Sequence, residues 1–190
     1  AGMGQGHGCG LMQIEVGERP SVASSPERVS PPRLSYVLGL ITLVLDQASK
    51  LGVLYGLDLE QTQPIIISPV FDLILVWNRG ISYGLFQQDN PTGQMALLIG
   101  TVLAILGLLV WMMRVKQSRL AVALGFLTGG AVGNAIDRAA YGAVVDFLHL
   151  HWEAWSWYVF NLADAAIVVG VAILMYDSWR NEQPARSSPA

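Results

Sequence analysis

Residues 95–113 read MALLIGTVLAILGLLVWMM, a run without one ionisable side chain. A bilayer core takes about 20 apolar residues per helix, so this run is long enough to cross one. Three more stretches approach that length once a few polar residues are admitted: 34 to about 57, 120–137 and 160–179. Composition agrees, because 53% of the 190 residues are hydrophobic and 13% charged, against about 25% charged in a soluble domain. The expected fold is a mainly α membrane protein, with four transmembrane helices in one domain over residues 34–180.

Lysine and arginine set the expected orientation. Arg19, Arg28 and Arg33 precede the first helix, Arg114, Lys116 and Arg119 link the second to the third, and Arg180 and Arg186 follow the fourth. All fall on one side of a four-span chain, which predicts that both termini are cytoplasmic. Segments 58–94 and 138–159 then lie outside, where Trp152, Trp155, Trp157 and Tyr158 read as an interfacial aromatic belt. A net charge of −3 leaves no nucleic-acid footprint, and the single cysteine, Cys9, rules out an internal disulfide and argues against a cysteine-ligated metal.

Residues 1–33 and 181–190 are rich in Gly, Ser, Pro and charge and are expected to be disordered cytoplasmic tails. The first apolar run starts late, is long and lacks a small-x-small exit, so a retained helix is expected rather than a cleaved signal peptide. Segment 64–86, PIIISPVFDLILVWNRGISYGLF, reads differently from the helices: β-branched and aromatic residues are broken by Pro69, Gly80 and Gly84. A small external sheet lying on the membrane surface is expected there.

Polar residues in or beside apolar helices are expensive and usually functional. Asp46 and Lys50, four apart in DQASK, share a helix face with the acid N-terminal to the base. They form either a structural ion pair or a means of presenting the ammonium toward external carboxylates or a lipid phosphate. In GFLTGGAVGNAIDR, Gly125, Gly129 and Gly133 recur every four residues and let a neighbouring backbone approach. Asn134, Asp137 and Arg138 follow on one face, as a substrate-binding group or as a structural network.

Asp146 in VVDF and Asp164 in FNLAD, with Asn161 one turn before it, sit at consecutive external ends. If they meet, repulsion splits their titration so that one proton is shared. The ionised member takes a proton from water as it attacks an amide carbon, while the protonated member donates to the carbonyl oxygen. The competing reading is that each aspartate caps a helix N-terminus. His149 and His151 lack HExxH spacing, so no metal site is expected, and no cofactor is implied. Ser82 lacks a GxSxG context and is not read as a nucleophile.

Taken in order, DQASK, WNRGISYGLF, GGAVGNAIDR, GAVVDF and FNLADAAI resemble lipoprotein signal peptidase, also called signal peptidase II, over roughly residues 34–179. The resemblance implies an aspartyl endopeptidase with Asp146 and Asp164 catalytic, supported by Asp46, Lys50, Asn78, Gly80, Asn134, Asp137, Arg138 and Asn161. It implies a multi-pass monomer in the bacterial inner membrane, with its active site on the periplasmic side. Its substrates would be diacylglyceryl-modified prolipoproteins, cut just before the lipidated cysteine, and its inhibitor globomycin. Segment 64–86 would be the β-cradle, with Asn78 and Arg138 holding the substrate backbone. Two departures are visible: Tyr83 where the family carries small residues, and the long N-terminal extension. The alternative class is a transport or lipid-binding bundle in which Asp46, Lys50, Asp137 and Arg138 form a relay. A relay needs polar groups through the full depth, whereas the cytoplasmic halves read as clean and residues 95–113 offer none. A third reading is a structural scaffold subunit, in which the carboxylates would be dispensable.

Overall fold

A computed structural model describes Gly2, residues 30–80 and residues 90–182. The expected tails, apart from Gly2 and their inner edges, and positions 81–89, including Ser82, Tyr83 and Gly84, lie outside the described residues. Helix α1 spans Pro31–Leu51 and continues through a wider π-helical turn at Gly52–Gly56. A one-turn α2 (Leu59–Thr62) precedes strands β1 (Ile65–Ser68) and β2 (Phe71–Asn78). Helices α3 (Pro91–Arg114) and α4 (Ser118–Tyr141) lead into β3 (Val144–Trp152), β4 (Trp155–Ser156) and α5 (Leu162–Glu182).

α1, α3, α4 and α5 are each long and apolar enough to cross a membrane. The four expected spans are therefore present, and α3 and α4 run longer than their apolar stretches because the helices continue into polar flanks. Proline at the first turn opens α1 and α3, where its missing N–H costs nothing. α4 is the axis of the bundle: 61% of its apolar window is buried, against 6% for α3, which turns most of its surface outward. Glycine puts α4 in that position. A methyl at Gly125 would meet Ser35 O at 2.9 Å, and one at Gly129 would meet Thr42 Cβ at 2.7 Å, so these two let α1 lie against α4. Gly130 serves α5 in the same way, since a Cβ there would sit 2.6 Å from Ala163 O.

The sheet departs from the expectation. Its order is β1-β2-β3-β4, so half of its strands come from beyond α4 rather than from segment 64–86. β2 pairs antiparallel with β3 from Phe71 opposite Leu150 to Asn78 opposite Val144, with a bulge between Leu73 and Val76. Gly142, at φ +68, ends α4 in the left-handed conformation, and its N–H returns to Arg138 O at 3.0 Å. The chain then turns straight into β3, so Asp146 lies inside a strand and not at the end of a helix.

Candidate active site

The aspartates are brought together by one residue of chain pairing. Phe160 pairs with β3 at Leu148, its N–H on Leu148 O at 3.0 Å and its carbonyl accepting from Leu148 at 2.8 Å. This sets the next residue, Asn161, beside Asp146. Asn161 is fully buried, and its amide donates to Asp146 Oδ1 at 2.7 Å. Its carbonyl oxygen accepts from Asp164 N at 2.9 Å, while Asp164 Oδ2 accepts from Asn161 N at 3.4 Å. That reciprocal pair is a capping box at the start of α5. The capping role weighed for Asp164 is thus filled, and it leaves the carboxylate beside the group that holds Asp146.

Each carboxylate also accepts from a second amide. Asn78, at the end of β2, donates to Asp146 Oδ2 at 2.9 Å, and Asn134, on α4, donates to Asp164 Oδ1 at 2.9 Å. Asp146 is 1% exposed. Its pKa is pushed up to about 7, first by burial and then by the neighbouring Asp164 charge, against the opposing pull of the Asn78 and Asn161 hydrogen bonds.

Behind the pair lies a buried ionic knot. Lys50 Nζ reaches Asp46 Oδ2 at 2.8 Å, Asp137 Oδ2 at 2.7 Å and Asn134 Oδ1 at 3.0 Å, which uses all three of its protons. Asp46 then caps α5 from α1, its Oδ1 accepting from Ala163 N at 2.9 Å. Asp137 accepts from Val145 N at 3.2 Å and so ties β3 to α4. Asp46 and Lys50 are thus ion-paired while the ammonium also reaches the Asp137 carboxylate, and together they tie down the two elements that carry Asp146 and Asp164. A Cβ at Gly133 would collide with the Asp46 carboxylate, which makes this glycine part of the knot as well as of the packing.

The sequence reading passed over Gln47, which donates to Asp137 Oδ1 at 3.0 Å and to Gly133 O at 3.2 Å. Its place inside DQASK was the available signal, but a neutral side chain one step along a helix points off the face that Asp46 and Lys50 share. Arg138 donates to Gly80 O at 3.0 Å, while its Nε has no hydrogen-bond partner among the described residues. Gly80 N in turn donates to Asn78 Oδ1 at 2.9 Å. Asn78, Gly80 and Arg138 therefore form one short rim.

Asn78, Asn134, Arg138 and Asp164 line a cavity of about 460 Å³ whose far wall is the small-residue face of α3, at Ala96, Gly100 and Ala104. The lining is mostly apolar, with Thr101 adding a hydroxyl on α3 and Ala131, Val144 and Ile167 standing among the polar groups. The expectation of clean cytoplasmic halves needs correction: at the other end of the bundle Asp177, 2% exposed, pairs with Arg119 at 3.1 Å. That pair is separate from the knot, and α3 adds no ionisable group before Arg114.

The family profile described as Signal peptidase (SPase) II matches residues 38–180. The chain belongs to the signal peptidase II family. It is accordingly a membrane-embedded peptidase. A lipoprotein signal peptidase of Methylorubrum extorquens is 58% identical over 151 residues, 80% of this chain and 86% of that one. Another, of Methylobacterium radiotolerans, is 51% identical over 168 residues, 85% and 98% of the two chains. Among solved structures, a bacterial membrane enzyme determined by the in meso method superposes with a TM-score of 0.70 at 21% identity, covering 82% of this chain and 93% of that chain. That likeness bears on the fold alone.

Proposed function

We propose that this peptidase removes signal peptides from diacylglyceryl-modified bacterial prolipoproteins, cutting just before the lipidated cysteine, with Asp146 and Asp164 as its catalytic pair. The observation that carries the reading is that a single buried residue, Asn161, hydrogen-bonds both carboxylates, with Asp164 at the wall of a mostly apolar cavity. Family membership supplies the substrate class, since the relatives are named lipoprotein signal peptidases.

The chemistry follows from a pair that keeps one proton near neutrality. The ionised carboxylate takes a proton from water as its oxygen attacks the scissile carbonyl carbon, and the protonated partner donates to the carbonyl oxygen. Collapse of the tetrahedral intermediate breaks the C–N bond, and the proton held by the first carboxylate passes to the leaving amine of the lipidated cysteine. Arg138 and Asn78, both on the cavity wall, would hold the substrate backbone. The apolar α3 wall suits the acyl chains beside a peptide bond in a polar niche. The knot of Asp46, Lys50, Asn134 and Asp137 positions the pair rather than touching substrate.

Arg114, Arg119 and Arg180 sit at the bundle end opposite the pair. The positive-inside rule then puts that end and both termini in the cytoplasm, and the catalytic pair at the periplasmic face of the inner membrane. A monomer contains every group named, and globomycin is the expected inhibitor. The test is cleavage of a diacylglyceryl-modified prolipoprotein by purified protein. Asp146→Asn and Asp164→Asn, each folded, should lose at least about 10²-fold in rate, while the wild type is active and globomycin-sensitive. Near-normal turnover by either variant would sink the catalytic assignment, and a folded wild type that never cleaves would sink the substrate reading.

A further inference from the structure

The sheet holds a second cluster, on the face of β3 opposite Asp146. Residues two apart along a strand share a face, so His149 and His151 lie together and Asp146 points the other way. The β2–β3 register sets Asp72 directly across from His149, and β4 sets Ser156 across from His151. No motif announces this group, because Asp72 arrives from another strand. HExxH spacing reports ligands on one helix and does not test a group assembled from two strands.

One candidate ligand atom from each of Asp72, His149 and His151 lies within 4.8 Å of the other two. Asp72 Oδ2 is 2.9 Å from His151 Nε2 and 3.8 Å from His149 Nδ1. Yet Asp72 Oδ1, His149 Nδ1 and His151 Nε2 are shut off from solvent and make no hydrogen bond among the described residues. Apart from the approach of the two ring nitrogens to Asp72 Oδ2, these buried atoms are unsatisfied, which is costly unless something between them supplies the missing bonds.

Ser156 Oγ lies 2.7 Å from His149 Nε2. With the ring proton on that nitrogen, Nδ1 turns a lone pair toward the Asp72 carboxylate 3.8 Å away, and a cation between them would convert two facing lone pairs into two bonds. Tetrahedral zinc with His nitrogen and carboxylate oxygen ligands at about 2.1 Å sets those atoms about 3.4 Å apart, between the two separations seen. Ser156 is then the outer partner that fixes the ring of a ligating histidine.

We propose that Asp72, His149 and His151 bind one divalent transition-metal ion of the zinc type, with a fourth position open to water. The ion clips β2 to β3, the strand that carries Asp146, on the far face from the catalytic chemistry. It is a structural clip, and prolipoprotein cleavage does not pass through it.

The test is calorimetric titration of the full-length, chelator-treated protein in detergent with Zn²⁺ alone. His7 and Cys9 are removed as competing ligands by the His7→Ala, Cys9→Ser double substitution, whose protein should bind one ion per chain as the wild type does. In that background His149→Gln, His151→Gln or Asp72→Asn should abolish binding, and Ser156→Ala should weaken it by about 10- to 100-fold. Retained prolipoprotein cleavage shows that each variant is folded. No binding by the wild type, or binding that survives the loss of both histidines, overturns the proposal. X-ray absorption of the zinc-loaded His7→Ala, Cys9→Ser protein decides the matter even if a variant fails to fold. Two imidazoles can then come only from His149 and His151, the chain's remaining histidines, and a spectrum without them overturns the site.

Discussion

Asn161 gives the site its geometry: its side chain holds one aspartate, its backbone and side chain together hold the other, and its amide also reaches Asn134 Oδ1 at 3.2 Å. Asn78 has the more tunable role, because its hydrogen bond favours the ionised form of Asp146, whose pKa stands at about 7. As pH rises through that region the pair gives up its shared proton, so cleavage is expected to fall on the alkaline side. Asn78→Ala removes a hydrogen bond that lowers the Asp146 pKa, which raises that pKa and moves the alkaline limb to higher pH. A pH–kcat profile of the variant against wild type checks this, and an unmoved or lowered limb would count against Asp146 as the titrating group. Lys50 answers a different measurement. Lys50→Met strands Asp46 and Asp137 as buried, uncompensated carboxylates and is expected to cost about 3–5 kcal/mol, read as a fall in thermal unfolding temperature in detergent.

At the level of elements, α4 against α5 sets the depth at which Asp164 sits. Gly130 abuts Ala163 O, one residue before Asp164, with room for hydrogen alone. Gly130→Ala should push the start of α5 away by a fraction of an ångström to about one ångström and break the Asn134–Asp164 hydrogen bond. A misplacement of that order costs up to about 10²-fold in rate. The expected outcome is a folded, helical protein with cleavage reduced by roughly 10- to 100-fold, measured beside Gly107→Ala, which meets open space away from the cavity and should change little. The sheet shows what periodicity does not convey at this level. Segment 64–86 announced strands through β-branched runs and turn residues, and β1 and β2 lie within it. β3 was missed because VVDFLHLHW follows directly on a membrane helix, and its first residues are buried on both faces, which hides the alternation that marks a half-buried strand.

Across the whole molecule, the polar groups sort by end. The carboxylate pair and its knot occupy one end of the bundle, and the Asp177–Arg119 pair occupies the other. That separation argues against a relay through the full depth. Orientation is open to direct measurement with a membrane-impermeant thiol reagent on intact spheroplasts in a Cys9→Ser background. Ala154→Cys, at the exposed tip between β3 and β4, should label from outside, and Lys116→Cys, between α3 and α4, only after lysis. The reverse pattern would invert the proposed topology. The exposed Trp152 and Trp155 at that tip, 68% and 55% exposed, are placed where amphipathic rings meet headgroups.

Composition and apolar run length were enough to set the four spans, because the bilayer admits few ways to satisfy a backbone and each way has a fixed length. Residue order also announced that some backbone lies close against α4, since glycine at a four-residue spacing opens one face to a neighbour, but that the neighbour is α1 came from the packing. The candidate site was legible as a list of polar residues that were expensive where they stood. Their connections were decided by tertiary structure alone. Asp46 capping α5, Gln47 on Asp137, Asn161 between the two aspartates, and Asp72 facing His149 and His151 all join residues on different elements. Spacing along a chain reports neighbours on one helix or strand. Whether two buried charges meet depends on how those elements pack, and hydrogen-bond geometry is settled only there.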